Sequence, residues 1–573
     1  MRAGVWAPAA HRIRLVLADG ERELERGADG WWRDDAELLP GTRYGFRVDD
    51  DEAVLPDPRS RSLPDGVHGW SEVVELPAPR PWAGLVLAGA VIYELHVGTF
   101  TPGGTLDAAI ERLDDLVELG VDLVEPLPVN GFNGAHNWGY DGVAWFAVDD
   151  SYGGPAAYLR FVDACHARGL GVIQDVVFNH LGPSGNYLPR FGSYLSDTGN
   201  TWGADVNLAE PEVRRYILDC ARMWLEEYGV DGLRLDAVHA LNDPTSRHIL
   251  SEISELADEV SSRAGRPISL IAESDLNDPV MILPRDQGGH GMTAQWCDDF
   301  HHALHVALTG ETAGYYGDFA SLGALAKTAT RGFFHDGTYS SFRGRDHGAP
   351  LPEDVPAWRL VTFAQDHDQI GNRAAGDRLS AGLSPDRLAV GAVLDLMSPF
   401  TPMIFMGEEW AASTPWQFFT AHPEPELATA TAEGRIAEFA EHGWDPEAVP
   451  DPQDPATFER SHLDWSERER EPHRRILELY RALLRLRRGT PEFDDARLGS
   501  LTADADDARG RFVLRHGALE VHANLGTGTW EIGGERELLL ASSDRVAASG
   551  SALMLPPDTA TVSRAFRSAE GRD

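Results

Sequence analysis

The sequence is poor in cysteine and in lysine, and each shortage excludes a class of chemistry. Its three cysteines, Cys165, Cys220 and Cys297, are far apart among 573 residues, so there is no CxxC metal or redox motif and no disulfide framework is expected. Lys327 is the one lysine, and it belongs to no glycine-rich phosphate loop. Walker-type phosphate binding and lysine Schiff-base catalysis are therefore nearly excluded.

Positive charge and long apolar runs are also scarce. Aspartate and glutamate number 91 against 50 lysines and arginines, which gives a net charge of −41. Such a protein repels phosphate groups, which argues against nucleic acid as a partner. No apolar run reaches the roughly 18 residues of a membrane span. Residues 1–6 lack the basic start and apolar stretch of a secretory signal, so we expect a cytoplasmic protein.

The first part of the chain predicts a small β domain. Residues 13–17 and 44–48 alternate apolar and polar side chains, as half-buried strands do. The proline-rich residues 77–81 have the composition of a linker. We therefore predict a β domain over residues 1–85.

Beyond this linker, short apolar runs alternate with helical stretches, a pattern that predicts a parallel sheet. Because the alternation continues over most of the chain, a (β/α)₈ TIM barrel of residues 86–489 with insertions fits better than a doubly wound sheet. The amphipathic helix 472–488 would close the barrel, and the strand pattern that follows predicts a C-terminal β domain over residues 490–573. The apolar runs are residues 91–95, 121–125, 171–177, 232–236, 268–273, 360–364 and 403–406.

Several of these apolar runs end in polar residues, or are followed by them, at positions that a buried core would not favour. They are Asp175, Asn179 and His180, then Arg234 and Asp236, then Glu273, and finally Asp366, His367 and Asp368. The carboxyl ends of barrel strands converge on one face, which is where barrel enzymes do their chemistry. Converging carboxylates without a phosphate loop indicate either a metal site or glycoside hydrolysis.

Glycoside hydrolysis needs one ionised carboxylate and one protonated carboxyl group. Arg234 precedes Asp236 by two positions, so both side chains can point to the same side of a strand, and the guanidinium would favour the ionised carboxylate. Glu273 follows the apolar residues 270–272 and has no neighbouring cation in sequence. This setting suits a raised pKa and the role of a general acid.

Four blocks of the sequence resemble, in order, the four signature regions of the α-amylase superfamily, glycoside hydrolase family 13. Together the blocks are a specific match, although each alone would be weak. The resemblance implies that Asp236 is the nucleophile, Glu273 the general acid and base, and Asp368 the carboxylate that steadies the distorted sugar. It implies a retaining glycosidase that needs no cofactor. The blocks are residues 175–180, 232–236, 271–273 and 367–368.

The same resemblance implies a set of substrate-binding residues. Arg234 would hold the nucleophile, and Tyr140 would stack on the sugar at the cleaved bond. His180 and His367 would bond hydroxyl groups of that sugar. For some candidates a structural role is an open alternative, either as the cap of a loop or as part of the core. Asp141 could instead cap its loop, and Trp416 could instead belong to the core. The remaining candidates are His239 and Arg373.

Longer stretches are similar to one family of this superfamily, the maltooligosyltrehalose trehalohydrolases. The similarity implies an immunoglobulin-like β-sandwich for residues 1–85 and hydrolysis of the α-1,4 bond beside a terminal trehalose unit. It also implies a functional partnership with a maltooligosyltrehalose synthase. The alternatives are a glycogen branching or debranching enzyme, and an inactive glucan-binding scaffold that should have lost carboxylates that are present here. The similar stretches are residues 93–101, 236–240, 272–278, 367–373, 406–411 and 414–419.

A second group of polar residues has the composition of a metal site. It consists of Asp298, Asp299, His301, His302 and His305. The spacing of these residues matches no metal-binding motif, so we expect no bound metal.

Overall fold

The computed structural model describes residues 1–441, 449–493, 496–549 and 552–566. At its centre eight parallel strands form a closed barrel, in which each strand pairs with the next and the last pairs with the first. In chain order the barrel strands are Ile92–Leu95, Leu123–Pro126, Gly171–Val176, Gly232–Leu235, Ser269–Ala272, Ala294–Trp296, Leu360–Thr362 and Thr401–Phe405. The predicted (β/α)₈ barrel is therefore confirmed.

Helices cover the outside of the barrel, so its strands are buried on both faces. Burial on both faces explains why these strands are nearly continuous apolar runs rather than alternating ones. Among the described residues, every helix is too short or too polar to cross a bilayer. The longer helices are Gly154–Ala167, Pro211–Arg222, Ile249–Ala264, Asp298–Thr309, Leu322–Arg331, Pro385–Leu396, Pro425–Glu441 and His473–Arg488. The shorter helices are Val97–Phe100, Leu106–Ile110, Leu113–Leu119, Leu188–Phe191, Met223–Tyr228, His367–Gly371, Leu379–Gly382 and Pro455–Arg460.

The helix His473–Arg488 packs against the barrel where its last and first units meet. Arg487 is buried, and its Nη1 donates to the carbonyl oxygens of Leu396 and Ser398 at 2.8 and 2.7 Å. Arg481 forms an ion pair of 3.0 Å with Glu118 of the first barrel unit. The helix therefore connects the last strand–helix unit of the barrel with the first, as the amphipathic pattern predicts.

Antiparallel strands precede and follow the barrel. The N-terminal part has a three-stranded sheet, Arg2–Trp6, Trp31–Glu37 and Glu25–Arg26, and a four-stranded sheet, Gly20–Glu23, Ile13–Leu17, Arg43–Val48 and Ser71–Glu72. The C-terminal part has a five-stranded sheet, Leu501–Asp506, Arg511–His516, Leu519–Asn524, Thr559–Ala565 and Arg536–Ala541, and a three-stranded sheet, Trp530–Ile532, Ala552–Leu555 and Ala547–Ser549. The exact domain boundaries stay a prediction.

Three small antiparallel strand pairs lie in segments between barrel strands. The second of them extends beside the carboxyl ends of the barrel strands, where its tip contacts the candidate site described below. The pairs are Asn130–Gly131 with Ala144–Val148, Leu195–Asn200 with Gly203–Val206, and Thr338–Ser340 with Arg345–His347.

Candidate active site

Backbone pairing of neighbouring strands brings two predicted catalytic residues together. The backbone N–H of Asp236 donates to the carbonyl oxygen of Val176 at 3.0 Å, and that of Glu273 donates to the carbonyl oxygen of Leu235 at 3.0 Å. The pairing of the third, fourth and fifth barrel strands thus continues up to these residues. Their positions are set by the barrel itself and not by long loops.

Arg234 joins three carboxyl groups from three strands. It is 1% exposed, and its Nη1 donates to both oxygens of Asp175, at 2.9 and 2.8 Å, and to Oδ1 of Asp236 at 2.9 Å. Its Nη2 lies 3.3 Å from Oε2 of Glu273. The guanidinium also lies over the ring of Trp296, 4.4 Å from the centroid. One buried cation therefore contacts carboxyl groups from three neighbouring strands.

Glu273 has the properties of a general acid. Burial raises the pKa of its carboxyl group to about 8, against the effect of Arg234. The nearby carboxylates of Asp236 and Asp368 also raise this pKa, whereas the backbone N–H of Ala237, which donates to Oε2 at 2.5 Å, lowers it. Glu273 is therefore mainly protonated at neutral pH, which agrees with the raised pKa predicted from its apolar sequence context.

Asp236 is held by donors on both of its oxygens. In addition to the bond from Arg234, Nδ2 of Asn179 donates to Oδ2 of Asp236 at 2.7 Å. The next residue, Ala237, has a φ of +39° in the left-handed region. Such strain in a non-glycine residue is concentrated at functional sites, and here it directs the Ala237 N–H toward Glu273.

His367 is bound twice by a carboxylate that the sequence analysis did not identify. Oε2 of Glu94 accepts the backbone N–H of His367 at 2.9 Å, and Oε1 lies 2.6 Å from its Nδ1. Although burial lowers the pKa of His367, Glu94 raises it to about 10, so the imidazole is charged at neutral pH. The sequence did contain one signal for this role, because Glu94 is an acidic residue inside the apolar run 91–95.

Tyr140 and His180 complete this buried layer. Oη of Tyr140 donates to Oδ2 of Asp175 at 2.7 Å, and its ring stacks on His367 with centroids 5.1 Å apart. Nε2 of His180 lies 2.9 Å from the carbonyl oxygen of Tyr140. Burial raises the pKa of Asp175 to about 6, and Arg234 opposes this shift. We call Glu94, Asp175, Arg234 and His367 the floor of the cleft.

Partly exposed side chains surround this buried layer. Trp202, at the tip of the hairpin 195–206, is 47% exposed. Its ring stacks on His180 at a centroid distance of 5.6 Å and lies 6.2 Å from the ring of His239. Nδ1 of His239 is 3.8 Å from Oδ1 of Asp275. We call Asp141, Trp202 and His239 the rim of the cleft.

A cavity of about 360 Å³ adjoins Asp368. Nδ2 of Asn372 donates to Oδ1 of Asp368 at 2.7 Å. On the other side, burial together with Asp368 and other neighbouring carboxylates raises the pKa of Asp298 to about 7. The cavity provides many polar groups for a ligand that extends beyond Glu273. Its lining includes Asp275, Asp298, His302, Tyr315, Arg343 and Asp368.

Two predicted substrate-binding residues have mainly structural contacts. Trp416 is fully buried, and its Nε1 donates to the carbonyl oxygen of His367 at 2.9 Å. Its ring supports His367 from the side of the core, so its position does not support the predicted contact with a ligand. Oδ2 of Asp141 accepts from Nδ2 of Asn137 at 2.6 Å and from Oγ1 of Thr420 at 3.2 Å, which joins two loops.

Arg373 is turned away from the cleft. Its Nη1 donates to Glu311 and its Nε to Asp377, both at 2.9 Å. It lines a different pocket, on the other side of the helix His367–Gly371. The structure thus brings Asp236, Glu273, Arg234, Tyr140, His180 and His367 together with Asp368, but not with Arg373.

The histidine cluster with the composition of a metal site packs mostly against aromatic rings. The His301 ring stacks on Phe363 at 5.6 Å, and His305 stacks on Tyr316 at 4.4 Å. Nε2 of His305 lies 2.8 Å from Oε2 of Glu311. Within the described part of the chain, no group of three or more histidine, cysteine, aspartate or glutamate residues is arranged to hold a metal ion.

Comparison with known proteins agrees with this geometry. The model of the α-amylase catalytic domain matches residues 53–198 and 192–259. A malto-oligosyltrehalose trehalohydrolase of Rhizobium sp. strain M-11 is 58% identical, over 98% of this chain and 97% of the relative. One from Arthrobacter ramosus is 57% identical, over 96% and 97%. Among solved structures, a Salmonella typhimurium protein assigned as an α-amylase is 38% identical, with a TM-score of 0.90 over 98% of this chain and 97% of that one.

Proposed function

Because the chain belongs to the malto-oligosyltrehalose trehalohydrolase family of the α-amylase superfamily, we propose that it is a retaining glycoside hydrolase with that activity. It cleaves the α-1,4-glucosidic bond next to the terminal trehalose unit of maltooligosyltrehalose. The products are trehalose and a maltooligosaccharide.

The observation that carries the proposed chemistry is that one guanidinium contacts two carboxyl groups, one suited to attack as an anion and one suited to donate a proton. Arg234 donates to Asp236 and lies against Glu273, and the pKa of Glu273 is raised by burial to about 8. A retaining glycosidase needs this pair, an anion that attacks and an acid that donates its proton, close together. The pair supports the roles of nucleophile for Asp236 and general acid for Glu273.

In the first step, Glu273 protonates the glycosidic oxygen on the trehalose side while Oδ of Asp236 attacks the anomeric carbon of the maltooligosyl unit. The C–O bond breaks, trehalose leaves, and the maltooligosyl unit stays covalently attached to Asp236. In the second step, the Glu273 carboxylate takes a proton from water, which attacks the same carbon and releases Asp236. Two inversions give a product with the original α configuration.

The floor and Asp368 stabilise the sugar at the reacting carbon. His367, kept as an imidazolium by Glu94, can donate to a sugar hydroxyl, and Tyr140 and His180 lie beside it. Fixed charges of this kind in a buried site strengthen interactions with the charge that develops in the transition state. Asp368 faces the adjoining cavity and would steady the distorted ring.

The decisive experiment is product analysis on a defined maltooligosyltrehalose. We expect free trehalose and, in ¹H NMR spectra taken during the first turnovers, the α-anomer of the new reducing end. Asp236→Ala protein is the matched control for contaminating hydrolases. Formation of the β-anomer would contradict the retaining mechanism, and release of glucose or maltose without trehalose would contradict the substrate assignment.

The alternatives are tested with glycogen as the substrate. A branching enzyme would increase the number of α-1,6 linkages, and a debranching enzyme would release linear chains from branch points. An inactive scaffold would bind glucan without turnover. We expect none of these outcomes. We also propose that the enzyme acts in cytoplasmic trehalose biosynthesis, on the product of a maltooligosyltrehalose synthase.

A further inference from the structure

The carboxylate of Asp368 is held by fewer contacts than that of the predicted nucleophile. Asp236 accepts hydrogen bonds from two side chains, Arg234 and Asn179. Within the described residues, the one hydrogen-bond donor to the Asp368 carboxylate is Nδ2 of Asn372, at 2.7 Å. The orientation of Asp368 therefore depends on this amide group.

An asparagine amide can face a carboxylate in two ways. Its Nδ2 donates and its Oδ1 accepts, so a half-turn of the amide would bring an oxygen toward Asp368 and replace an attraction with a repulsion. Asn372 follows the helix His367–Gly371 as its C-cap and is exposed beside the cavity that adjoins Asp368. Because the terminal torsion of asparagine has a broad distribution, an exposed amide needs a second contact to keep one orientation.

Arg435 supplies this second contact. Its Nη1 donates to Oδ1 of Asn372 at 3.1 Å, which leaves Nδ2 to face Asp368. Its Nη2 donates to the carbonyl oxygen of Gly371 at 2.6 Å, one of the carbonyl groups that the end of a helix leaves without a partner inside the helix. The guanidinium lies over the ring of Phe418, with Cζ 4.8 Å from the centroid. One guanidinium thus holds both the helix end and the amide.

Arg435 comes from a part of the chain that carries none of the predicted site residues. It lies in the helix Pro425–Glu441, between the last barrel strand, Thr401–Phe405, and the helix His473–Arg488. Asn372 is 63 positions away along the chain. Two successive hydrogen bonds therefore connect this inserted helix with the carboxylate of Asp368.

We propose that Arg435 is a positioning residue for the hydrolysis, which orients Asp368 by fixing the amide of Asn372. The inference rests on the proposed function, because it takes Asp368 as the carboxylate that steadies the distorted sugar. A substrate that fills the cavity displaces water from these groups and strengthens their interactions with the charge that develops on the sugar. Loss of Arg435 should therefore slow the chemical step and leave binding of the ground state nearly unchanged.

Steady-state kinetics of the full chain on maltooligosyltrehalose tests the proposal. Arg435→Leu should lower kcat about tenfold, the worth of one hydrogen bond to a charged group, while KM stays within about twofold. Arg435→Lys keeps a charged donor and should recover part of the loss. Glu433→Ala removes an exposed side chain from the same helix and is the matched control, with unchanged kcat. A raised KM with unchanged kcat for Arg435→Leu would mean that Arg435 binds the glucan directly, which would overturn the proposal.

A double-mutant cycle separates this role from a general structural one. Asn372→Ala should reproduce the fall in kcat, and adding Arg435→Leu to it should lower kcat further by less than about twofold, because the two residues act in series. Losses that multiply, or an Asn372→Ala enzyme as active as the unaltered protein, would refute the proposed connection. Asn372 lies outside the helix Pro425–Glu441, so this variant keeps the test valid even if Arg435→Leu disturbs that helix.

Asp368→Ala distinguishes a failure of this inference from a failure of the proposed function. It should lower kcat far more than either variant above. If Asp368→Ala keeps its activity on maltooligosyltrehalose, the role assigned to Asp368 is wrong and the inference is wrong with it. If Asp368→Ala is inactive but Arg435→Leu has full activity, only the positioning role of Arg435 is wrong.

Discussion

The floor and the rim of the cleft hold their polar groups in different ways. On the floor, Asp175, Arg234, Glu94 and His367 are buried on barrel strands or directly after them, and each charge has an opposite charge within hydrogen-bond distance. On the rim, side chains such as His239 are partly exposed, and the ring of His239 lies 3.8 Å from its acidic neighbour Asp275. The two regions face the same substrate from surroundings of different dielectric constant.

This difference decides which residues matter to the reaction. Charges in a buried layer interact strongly and keep their geometry when the substrate binds, whereas exposed charges are screened by water and salt. A substitution on the floor should therefore change the chemical step, and the same substitution on the rim should have a small effect. The predictions below test this contrast, from the largest expected effect to the smallest.

The largest effect is expected for Asp236, which lies between Arg234 of the floor and the open cleft. Asp236→Ala removes the attacking oxygen, so kcat should fall by about 10⁴-fold or more, as for loss of other nucleophiles. Steady-state kinetics on maltooligosyltrehalose measures the loss, and an unchanged melting temperature shows that the fold persists. An active variant would refute the assignment of the nucleophile.

The next effect concerns the floor alone. Glu94→Gln removes the anion that raises the pKa of His367 to about 10, so this pKa falls and the imidazole loses its charge near neutral pH. We expect kcat/KM to fall about 10- to 100-fold, the worth of a hydrogen bond to a charged group. The loss should be smaller at acidic pH, where His367 is protonated again, so the pH profile separates this effect from a general loss of structure.

A matched control for Glu94→Gln lies on the neighbouring strand. Glu125 is the register partner of Glu94 and is equally buried, but neither of its carboxyl oxygens has a hydrogen-bond partner in the described structure. Burial, together with the neighbouring Glu94 and Asp175, raises its pKa well above the ordinary value, which favours the neutral carboxyl group. Glu125→Gln should therefore leave kcat/KM within about threefold. Equal losses for the two variants would show that the charge of Glu94 is not what matters.

Much of the floor and of the catalytic pair beside it could be predicted from the sequence because these positions follow from the strand period. Arg234 and Asp236 are two positions apart, which places both on one side of a strand, and the apolar residues before Glu273 indicate its burial. Glu94 could not be predicted, because its partner His367 is 273 positions away and meets it only when the first and seventh strands close into one barrel.

The rim could be predicted less well, because its residues lie outside the barrel strands. Trp202 contacts His180 through a hairpin whose direction no sequence pattern specifies. The sequence also could not tell that Arg373 points away from the cleft, or that Trp416 is core. Aromatic residues that follow a barrel strand are compatible with a groove and with the interior, and only the packing of Trp416 beneath His367 distinguishes the two.

A third prediction concerns the pH dependence, which is set by Glu273 next to the floor. The pKa of this carboxyl is raised to about 8, and the acid acts in its protonated form. Activity should therefore persist through neutral pH and decline above about pH 8, by roughly tenfold for each further unit. The profile of kcat/KM measures this limb, with circular dichroism as the control for unfolding. A decline that begins near pH 5 would mean that Glu273 is not the acid.

The smallest effect should come from the rim. The same substitution, made once on the rim and once on the floor, tests whether burial causes the difference. Asp141→Asn keeps an oxygen that can accept from Asn137 and Thr420 and removes a charge that is partly exposed, so kcat/KM should change less than about threefold. Asp175→Asn removes the same charge from beneath Arg234, which leaves a buried cation incompletely balanced, and should cost at least about 30-fold. The kinetics and melting curves of the two variants are measured side by side. Because both variants replace aspartate with asparagine, any difference between them comes from the location. If Asp141→Asn is as damaging as Asp175→Asn, then Asp141 binds the sugar directly, and burial is not the property that separates the two regions.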